Sequence, residues 1–188
     1  MRVYTAQTLE LSGSVVTIGA FDGVHRGHQA LIREAARRAR ELNEASVVYT
    51  FDPPPRKYFQ DATVLTPLPE KLRKVEALGV DYVVVARFDD TCANRPVSSF
   101  IGELASLNPE EVLVGPDFRF GRGRGGDVST LAENFLTRTL EPLKCRAGKP
   151  VSSSRVRELL SCGDFSEASE LLGWDLEGSK QLATVAGG

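Results

Sequence analysis

The chain has 188 residues, of which 41% are hydrophobic and 26% charged, and its formal net charge is −2. These values are ordinary for a globular domain that buries one core without disulfides or structural metals. The near-neutral charge argues against general attraction to nucleic acid or to acidic membranes.

The first two-thirds of the chain alternates strand-like and helix-like patterns. Short apolar runs that are continuous rather than alternating are typical of strands buried on both faces, and they occupy residues 14–19, 45–51, 81–88 and 111–115. Helical patterns lie between them at His25 to Leu42, Pro69 to Leu78 and Ser98 to Leu107. This order predicts an α/β fold: a Rossmann-like three-layer sandwich in which helices cover both faces of a mainly parallel sheet.

The last third is predicted to add four short elements. A helix is expected near Asp127 to Phe135 and a short strand around Leu140 to Lys144. Two helices follow, at Arg155 to Ser161 and from Asp164 to Leu172; serines 152–154 offer an N-cap to the first, and Gly173 ends the second. The remaining residues have little periodicity and are expected to form a tail or linker.

Cysteine usage and the N-terminal residues favour the cytoplasm. The three cysteines, Cys92, Cys145 and Cys162, are widely separated and odd in number, as expected of reduced thiols. The N-terminal stretch lacks the apolar core of a signal peptide, and no run approaches the roughly 20 apolar residues that span a bilayer. We therefore expect a cytoplasmic protein without nucleic-acid or membrane partners.

Both histidines of the chain lie in one turn, within VVTIGAFDGVHRGHQALI, residues 15–32. In open α/β sheets, ligands bind beyond the carboxyl ends of the strands, and the segment Gly19 to His28 occupies that position after the first predicted strand. His25 and His28 are neighbours on the first helical turn, beside unpaired backbone N–H groups and the positive end of the helix dipole. The pattern predicts an anion site, and a bound phosphate would raise the pKa of both rings.

Other interpretations of the pair remain open at this point. One histidine can simply cap the helix, and the pair can bind a metal, although only Asp22 supplies a nearby carboxylate and no cysteine is close. A P-loop is excluded because no GxxxxGK[ST] sequence occurs.

Four segments together resemble one known family. GAFDGVHRGH is similar to the GxFDGxHxGH signature of the nucleotidyltransferase superfamily, in the form that bacterial FAD synthetases use. The other three segments, TFDPPP, VGPDFRFGRGRGGD and VSSSRVRELLSCGDFSEASELLG, resemble further FAD synthetase motifs in the same order, so that the resemblance extends over about residues 13–173. It implies the nucleotidyltransferase fold and the transfer of AMP from ATP to FMN, which gives FAD and pyrophosphate, with Mg²⁺ accompanying ATP and no predicted protein ligands for the metal.

The resemblance also implies roles for individual residues. The catalytic positions are His25, His28, Ser152 and Arg157. The ATP-binding positions are Gly19, Phe21, Asp22, Gly27, His28, Ser153 and Ser154. The FMN-binding positions are Phe51, Pro53, Pro55, Asp117, Phe118 and Arg119.

Plainer roles compete at several of these positions. The serines can merely cap their helix, and Phe118 and Phe120 can be core residues. Arg122 and Arg124 can contact phosphates as a mobile lid or stay solvated. The arginines at 33, 37, 38 and 40 are expected to form a solvated helix face that pairs with Glu34 and Glu41.

The predicted domain organisation is a nucleotidyltransferase domain at 1–173 and a tail at 174–188, with no riboflavin kinase domain, so that FMN would come from a separate kinase or a missing C-terminal domain. Pro116, which restricts the residue before it, departs from the family pattern. Two rival functions follow: a nucleotidyltransferase for another phosphorylated acceptor, such as a pantetheine or glycerol phosphate, and a non-catalytic flavin- or nucleotide-binding protein.

Overall fold

The computed structural model describes residues 1–174, which form eight strands, eight α-helices and two 3₁₀ turns. The strands are β1 (Arg2–Thr5), β2 (Ser14–Ile18), β3 (Ala45–Asp52), β4 (Tyr82–Arg87), β5 (Pro109–Val114), β6 (Arg119–Phe120), β7 (Gly126–Asp127) and β8 (Thr137–Thr139). The helices are α1 (Arg26–Leu42), α2 (Pro55–Gln60), α3 (Leu68–Glu76), α4 (Asp90–Ala93), α5 (Val97–Ala105), α6 (Val128–Ala132), α7 (Ser153–Ser161) and α8 (Phe165–Leu172).

Six strands form one sheet in the order β1-β4-β3-β2-β5-β8, and every adjacent pair is parallel. The central strand β2 is buried along its whole length, which explains its unbroken apolar sequence. Strands β6 and β7 form a separate antiparallel pair. The predicted α/β fold with a mainly parallel sheet is confirmed.

Helices cover both faces of the sheet, as the alternating pattern predicts. On one face, Ile32, Ala35 and Ala36 of α1 pack with Val75 of α3 against the sheet. On the other face, Phe100 and Leu104 of α5 and Leu131 of α6 do the same. Burial of these apolar stripes on the two faces is what holds the three layers together.

A smaller apolar cluster fixes the last two helices beside the N-terminus of α1. Val156 of α7 packs with Leu171 and Leu172 of α8. Gln29 of α1 donates to the Leu172 carbonyl at 2.7 Å, and the Trp174 ring N–H donates to the Val24 carbonyl at 2.8 Å. The C-terminal helices are therefore attached to the turn that carries the histidines.

Several predicted boundaries are corrected. The strand predicted at Leu140 to Lys144 is wrong, because the sheet instead takes its edge strand from the polar residues Thr137–Thr139, while Leu140 packs against the α1 face. The helix predicted near Asp127 to Phe135 is shorter, at Val128–Ala132, with Asp127 as its cap. Strand β1 was not predicted. Of the predicted tail at 174–188, Trp174 packs against the domain and is not part of a frayed tail, and the rest lies outside the described residues.

The arginines of α1 do not all form a solvated face. Arg37 pairs with Glu34 and Glu41 as expected. Arg38 pairs with Glu41 at 2.7 Å as expected, but it also reaches the buried carboxylate of Glu111. Glu111 pairs with Arg138 as well, at 3.1 Å, and together the two arginines hold the pKa of Glu111 down at about 2. The expected solvated face is therefore wrong for Arg38 only in that this side chain is half-buried against β5.

None of the helices within residues 1–174 is both long and apolar enough to cross a membrane.

Candidate active site

The segment between β2 and α1 folds as a tight turn with unusual backbone angles. Phe21 and Val24 have positive φ values of 47° and 43°, and Gly23 has a φ of 83°. A Cβ on Gly19 would lie 3.0 Å from the Phe21 ring, so that glycine allows this ring to fold back over the strand end. Such left-handed backbone is costly for residues other than glycine and persists only where the surrounding structure fixes it.

The two histidine rings stack at the start of α1. Their centroids are 3.5 Å apart with an interplanar angle of 18°, and the Phe21 ring packs edge-on against His28 at 5.2 Å. His25 is the N-cap: its Nδ1 accepts from the backbone N–H of His28 at 3.3 Å. An accepting Nδ1 leaves the proton of neutral His25 on Nε2, where it is a donor for a ligand.

Burial favours the neutral form of both histidine rings. Burial lowers the pKa of His25 to about 4, and burial together with the charges of His25 and Lys71 lowers the pKa of His28 well below its usual 6.5. The Nδ1 of His28 is buried and has no hydrogen-bond partner among residues 1–174. An anion at this position would relieve both costs, because it would stabilise the protonated rings and accept their N–H groups.

The N-terminus of α7 meets the histidine turn. The Ser153 hydroxyl donates to the Asp22 carbonyl at 2.8 Å. A Cβ on Gly27 would lie 3.5 Å from the Val151 carbonyl and 3.3 Å from the His25 ring, so Gly27 permits this close approach. Two helix N-termini, those of α1 and α7, are thereby brought together, and each directs backbone N–H groups toward the same region.

Asp22 organises the turn through its side chain. Its Oδ1 accepts from the backbone N–H groups of Leu65 and Thr66 at 3.0 and 3.1 Å, and its Oδ2 accepts from Arg157. Burial raises the pKa of Asp22, and the Arg157 guanidinium opposes this rise. Both carboxylate oxygens are engaged by protein groups. Asp22 therefore stabilises the turn at the predicted ATP site.

The remaining predicted phosphate residues lie together on the first turns of α7. The Ser152 hydroxyl accepts from the Arg155 backbone N–H at 3.3 Å and so caps the helix. Ser154 accepts from Arg56 of α2, and Arg157 also donates to the Thr63 carbonyl at 2.8 Å. Capping and ligand contact therefore remain compatible at Ser152, whose hydroxyl lies at the helix end.

A buried lysine that the sequence reasoning missed joins the ends of β2 and β3. Lys71 of α3 donates from Nζ to the carbonyls of Ala20 at 3.0 Å and Phe51 at 2.9 Å. Burial lowers its pKa, and the carboxylates of Asp22 and Asp52 oppose this. The signal was available, because Lys71 lies in line with the buried Val75 on one stripe of α3.

The predicted flavin residues begin at the end of β3. The Phe51 ring lies 5.5 Å from Tyr49 and 5.8 Å from Phe88 and packs against the core on the α5 face. Pro53 and Pro55 follow, and Pro55 is the first residue of α2. The segment therefore leaves the sheet at the strand next to β2.

Helix α2 adds exposed aromatic rings that the sequence reasoning did not single out. Tyr58 and Phe59 are 5.1 Å apart, and each lies within 5.6 Å of Phe88. With Phe51 they form a group of four rings, which we call the aromatic cluster. Tyr58 and Phe59 are 39% and 64% exposed, so that the cluster presents adjacent aromatic surface to solvent, which favours a role in binding a flat ligand.

The second predicted flavin group lies in the loop after β5. Phe118 stacks on the buried Phe120 at 5.6 Å, so that it is partly a core residue. Arg119 pairs with Asp127 at 3.0 Å, and Asp117 is exposed.

The glycine-arginine loop after β6 is attached to its neighbours in this structure. The Arg122 backbone N–H donates to the Arg95 carbonyl at 2.8 Å, and its side chain donates to the Asn94 carbonyl at 3.0 Å. Arg122 and Arg124 are nevertheless exposed, as expected of solvated arginines, and a phosphate contact by either stays a prediction.

The predicted ATP and FMN residues share one edge of the sheet. Strands β3, β2 and β5 are adjacent and parallel, so that the segments that follow them emerge side by side. The segment after β2 leads to α1 on one face, and the one after β5 leads to α6 on the other. Such a switch in direction opens a crevice at the carboxyl ends of the strands, where open α/β sheets bind their ligands.

No cluster of three or more histidine, cysteine or acidic side chains suited to a metal ion occurs within residues 1–174.

Comparison with known proteins assigns the family. The sequence model of the FAD synthetase family matches residues 7–155. The chain belongs to the FAD synthetase family. Among individual relatives, a Geobacillus thermodenitrificans protein, provisionally named a bifunctional riboflavin kinase/FMN adenylyltransferase, is 52% identical over 177 residues, which cover 94% of this chain and 99% of that protein.

Other members of this FAD synthetase family are longer than the chain. The bifunctional riboflavin kinase/FMN adenylyltransferase of Escherichia coli K12 is 39% identical over 170 residues, which cover 86% of this chain but only 54% of that protein.

The crystal structure of a protein named as a macrolide-efflux protein of Streptococcus pneumoniae matches with a TM-score of 0.78 at 27% identity, covering 91% of this chain and 61% of that one. The resemblance stated from the sequence motifs is confirmed.

Proposed function

We propose that this FAD synthetase transfers AMP from ATP to FMN and releases pyrophosphate, which makes it a nucleotidyltransferase of FAD biosynthesis. The observation that carries the proposal is the junction of two helix N-termini at the stacked histidines, where the Ser153 hydroxyl bonds the Asp22 carbonyl at 2.8 Å. Capping either helix alone would not require the N-terminus of the other helix to lie beside it. Together the two N-termini would provide backbone N–H donors for more than one phosphate group.

The chemistry needs charge stabilisation more than a protein base. The phosphate of FMN has a second pKa of about 6, like other phosphomonoesters, and is therefore largely a dianion at neutral pH. It can attack the α-phosphorus of ATP as it stands. Negative charge then grows on the equatorial oxygens and on the departing pyrophosphate, so donors placed there lower the barrier.

We assign those donors to the two helix ends. His25 would donate from Nε2, while the His28 ring and the backbone N–H groups at the start of α1 would face the same phosphates. Ser152, Ser153 and Ser154 would add donors from α7. Arg157 would supply positive charge from the next turn, and its bond to Asp22 holds it against the turn. Gly19, Phe21 and Gly27 would shape the pocket around the nucleotide.

A divalent cation, which we take to be Mg²⁺, would accompany ATP. The Asp22 carboxylate is already satisfied by Leu65, Thr66 and Arg157, so the phosphates of ATP rather than this side chain would hold most of its coordination sphere. When bound, the ion would neutralise charge on the pyrophosphate.

The flavin ring would lie across the strand ends, on the α5 side. The aromatic cluster offers flat apolar surface, and Pro53, Pro55, Phe118 and the polar groups of Asp117 and Arg119 would border the ring. A flat ligand with a polar edge suits such a lining. The phosphate of FMN would then point back toward the histidines.

The domain organisation and partners follow from this proposal. Residues 1–173 would form the adenylyltransferase domain, 174–188 a tail or linker, and FMN would be supplied by a riboflavin kinase on another chain or in a further domain. We propose the cytoplasm as the location, in keeping with the three free thiols of Cys92, Cys145 and Cys162.

One assay separates this function from its rivals. Purified protein is incubated with ATP, Mg²⁺ and FMN, then FAD is measured by chromatography and pyrophosphate by a coupled assay. We expect equal amounts of the two products. Pyrophosphate that appears only with a different phosphorylated acceptor would favour another nucleotidyltransferase. Flavin binding without turnover would favour a non-catalytic binding protein.

A further inference from the structure

We propose that Arg56 binds the phosphate of the flavin acceptor and so selects FMN over flavins without a phosphate. The inference rests on the proposed function and adds the residue that recognises the attacking group. Arg56 lies on the first turn of α2, directly after the proline segment at the end of β3.

The position of Arg56 connects the two halves of the site. Its guanidinium donates from Nη1 to the hydroxyl of Ser154, on the first turn of α7. Arg56 and Phe59 are separated by three positions on α2 and are therefore neighbours on one helix surface. One short helix thus presents a flat aromatic ring toward the flavin side and a cation toward the phosphate side.

The charge of Arg56 is not neutralised by the protein. Its Nε donates to the neutral amide of Gln60 at 2.7 Å, and no carboxylate among residues 1–174 lies within 4.0 Å of it. The exposed Arg37, by contrast, pairs with both Glu34 and Glu41. Arg56 also lies close enough to Arg157 to lower the pKa of that group, in addition to the larger effect of burial. A guanidinium placed near a second cation and a helix N-terminus, without an acid of its own, is suited to bind an anion.

The acceptor phosphate fits this position better than the phosphates of ATP. In the proposed reaction the ATP phosphates lie against the histidines and the α7 N-terminus, and the flavin ring lies on the aromatic cluster. The FMN phosphate must lie between them, at the end of the ribityl chain. Arg56 lies between these two places. Its backbone is part of α2, beside the aromatic cluster, and its guanidinium contacts Ser154 of α7.

The test compares Arg56→Gln with Lys57→Gln, the neighbouring surface cation, which pairs with Asp61 instead. Binding of FMN and of riboflavin is followed by quenching of flavin fluorescence, and the KM values for FMN and ATP are measured for each variant. We expect Arg56→Gln to weaken FMN binding about tenfold or more, with riboflavin binding and the KM for ATP changed less than twofold. Arg56→Lys should recover part of the affinity, and Lys57→Gln should behave as wild type.

Three results would overturn the inference. In the first, Arg56→Gln leaves FMN binding unchanged. In the second, it weakens FMN and riboflavin equally, which would mean that Arg56 only positions α2. In the third, it raises the KM for ATP instead. The proposed function is judged separately, on the wild-type protein, because only a failure of the wild type to make FAD would count against it.

Discussion

The Ser153 hydroxyl donates to the Asp22 carbonyl across a sequence separation of 131 residues. This bond joins the turn after β2 to the first turn of α7, so that two helix N-termini share one site. In the proposed reaction, this contact would let the histidine segment and the serine segment, far apart in the sequence, act on the same group of phosphates.

Ser152 allows the capping role to be separated from the phosphate role. Its hydroxyl caps α7 by accepting from Arg155 at 3.3 Å, and Ser→Ala at an N-cap costs roughly 1 kcal/mol whereas Ser→Gly costs only a few tenths. We expect Ser152→Gly to keep the free energy of unfolding within about 0.5 kcal/mol of wild type. Its kcat/KM should fall about tenfold or more, because the phosphate donor is lost. Ser152→Gly with wild-type kcat/KM would reduce Ser152 to a cap.

Stability should depend on pH through His25. Burial lowers its pKa to about 4 in the folded chain, against an ordinary value of 6.5. Between these values the unfolded chain binds more protons, so the free energy of unfolding falls as the pH is lowered from about 6.5 toward 4, by at most about 1.4 kcal/mol per pH unit for this group. His25→Asn keeps an acceptor at the helix cap but should flatten this slope.

The measurement is urea unfolding at intervals between pH 7.5 and 5, for wild type and His25→Asn. Carboxylates that titrate in the same range contribute equally to both proteins and cancel in the comparison. Equal slopes for the two proteins would contradict the buried neutral state of His25.

The aromatic cluster should affect flavin binding without affecting folding. Phe59 is 64% exposed, and Phe165 of α8, which is 54% exposed, is its matched control. Phe59→Ala should raise the KM for FMN about fivefold, since aromatic stacking of this kind contributes about 1 kcal/mol, while the free energy of unfolding stays within about 0.5 kcal/mol. Phe165→Ala should change neither quantity. Steady-state kinetics give the KM for FMN, and urea unfolding gives the free energy of unfolding. Equal KM values for FMN in the two variants would mean that the flavin does not bind at the aromatic cluster.

Glu111 should affect folding without affecting catalysis. It is buried between Arg38 and Arg138 near the start of β5, at the sheet edge opposite the site. Glu111→Gln should lower the free energy of unfolding by about 2 to 4 kcal/mol, because it leaves two cations without their shared partner. Glu41→Gln removes an exposed partner of Arg37 and Arg38 and should cost less than about 1 kcal/mol. A large loss of kcat/KM in folded Glu111→Gln protein would contradict this separation.

The central strands, the histidine segment and the serine segment could be predicted from the sequence because each is continuous in it. The unbroken apolar run of β2 and the glycines around the histidines report directly on burial and on tight turns. The edge strands β1 and β8 could not be predicted in this way. They are short and largely exposed, so their sequences do not have to be apolar, and pairing with β4 and β5 alone defines them.

The contacts between segments also exceeded what the sequence could predict. The bonds of Lys71 to the ends of β2 and β3, and of Arg56 to Ser154, depend on how the helices pack on the sheet. A buried cation in an apolar stripe was the one available signal for Lys71. The four-ring cluster was hidden because its members come from three separate segments.

The most direct test of the central claim follows the α-phosphorus of ATP. ATP labelled with ³²P at the α-position is incubated with FMN and Mg²⁺, using wild-type protein and His28→Ala. Transfer at the histidine site predicts that the label enters FAD in a one-to-one ratio with released pyrophosphate, and that kcat/KM falls about a hundredfold or more in His28→Ala while the fold survives. Labelled FAD at wild-type rates from His28→Ala, or no labelled FAD from either protein, would contradict it.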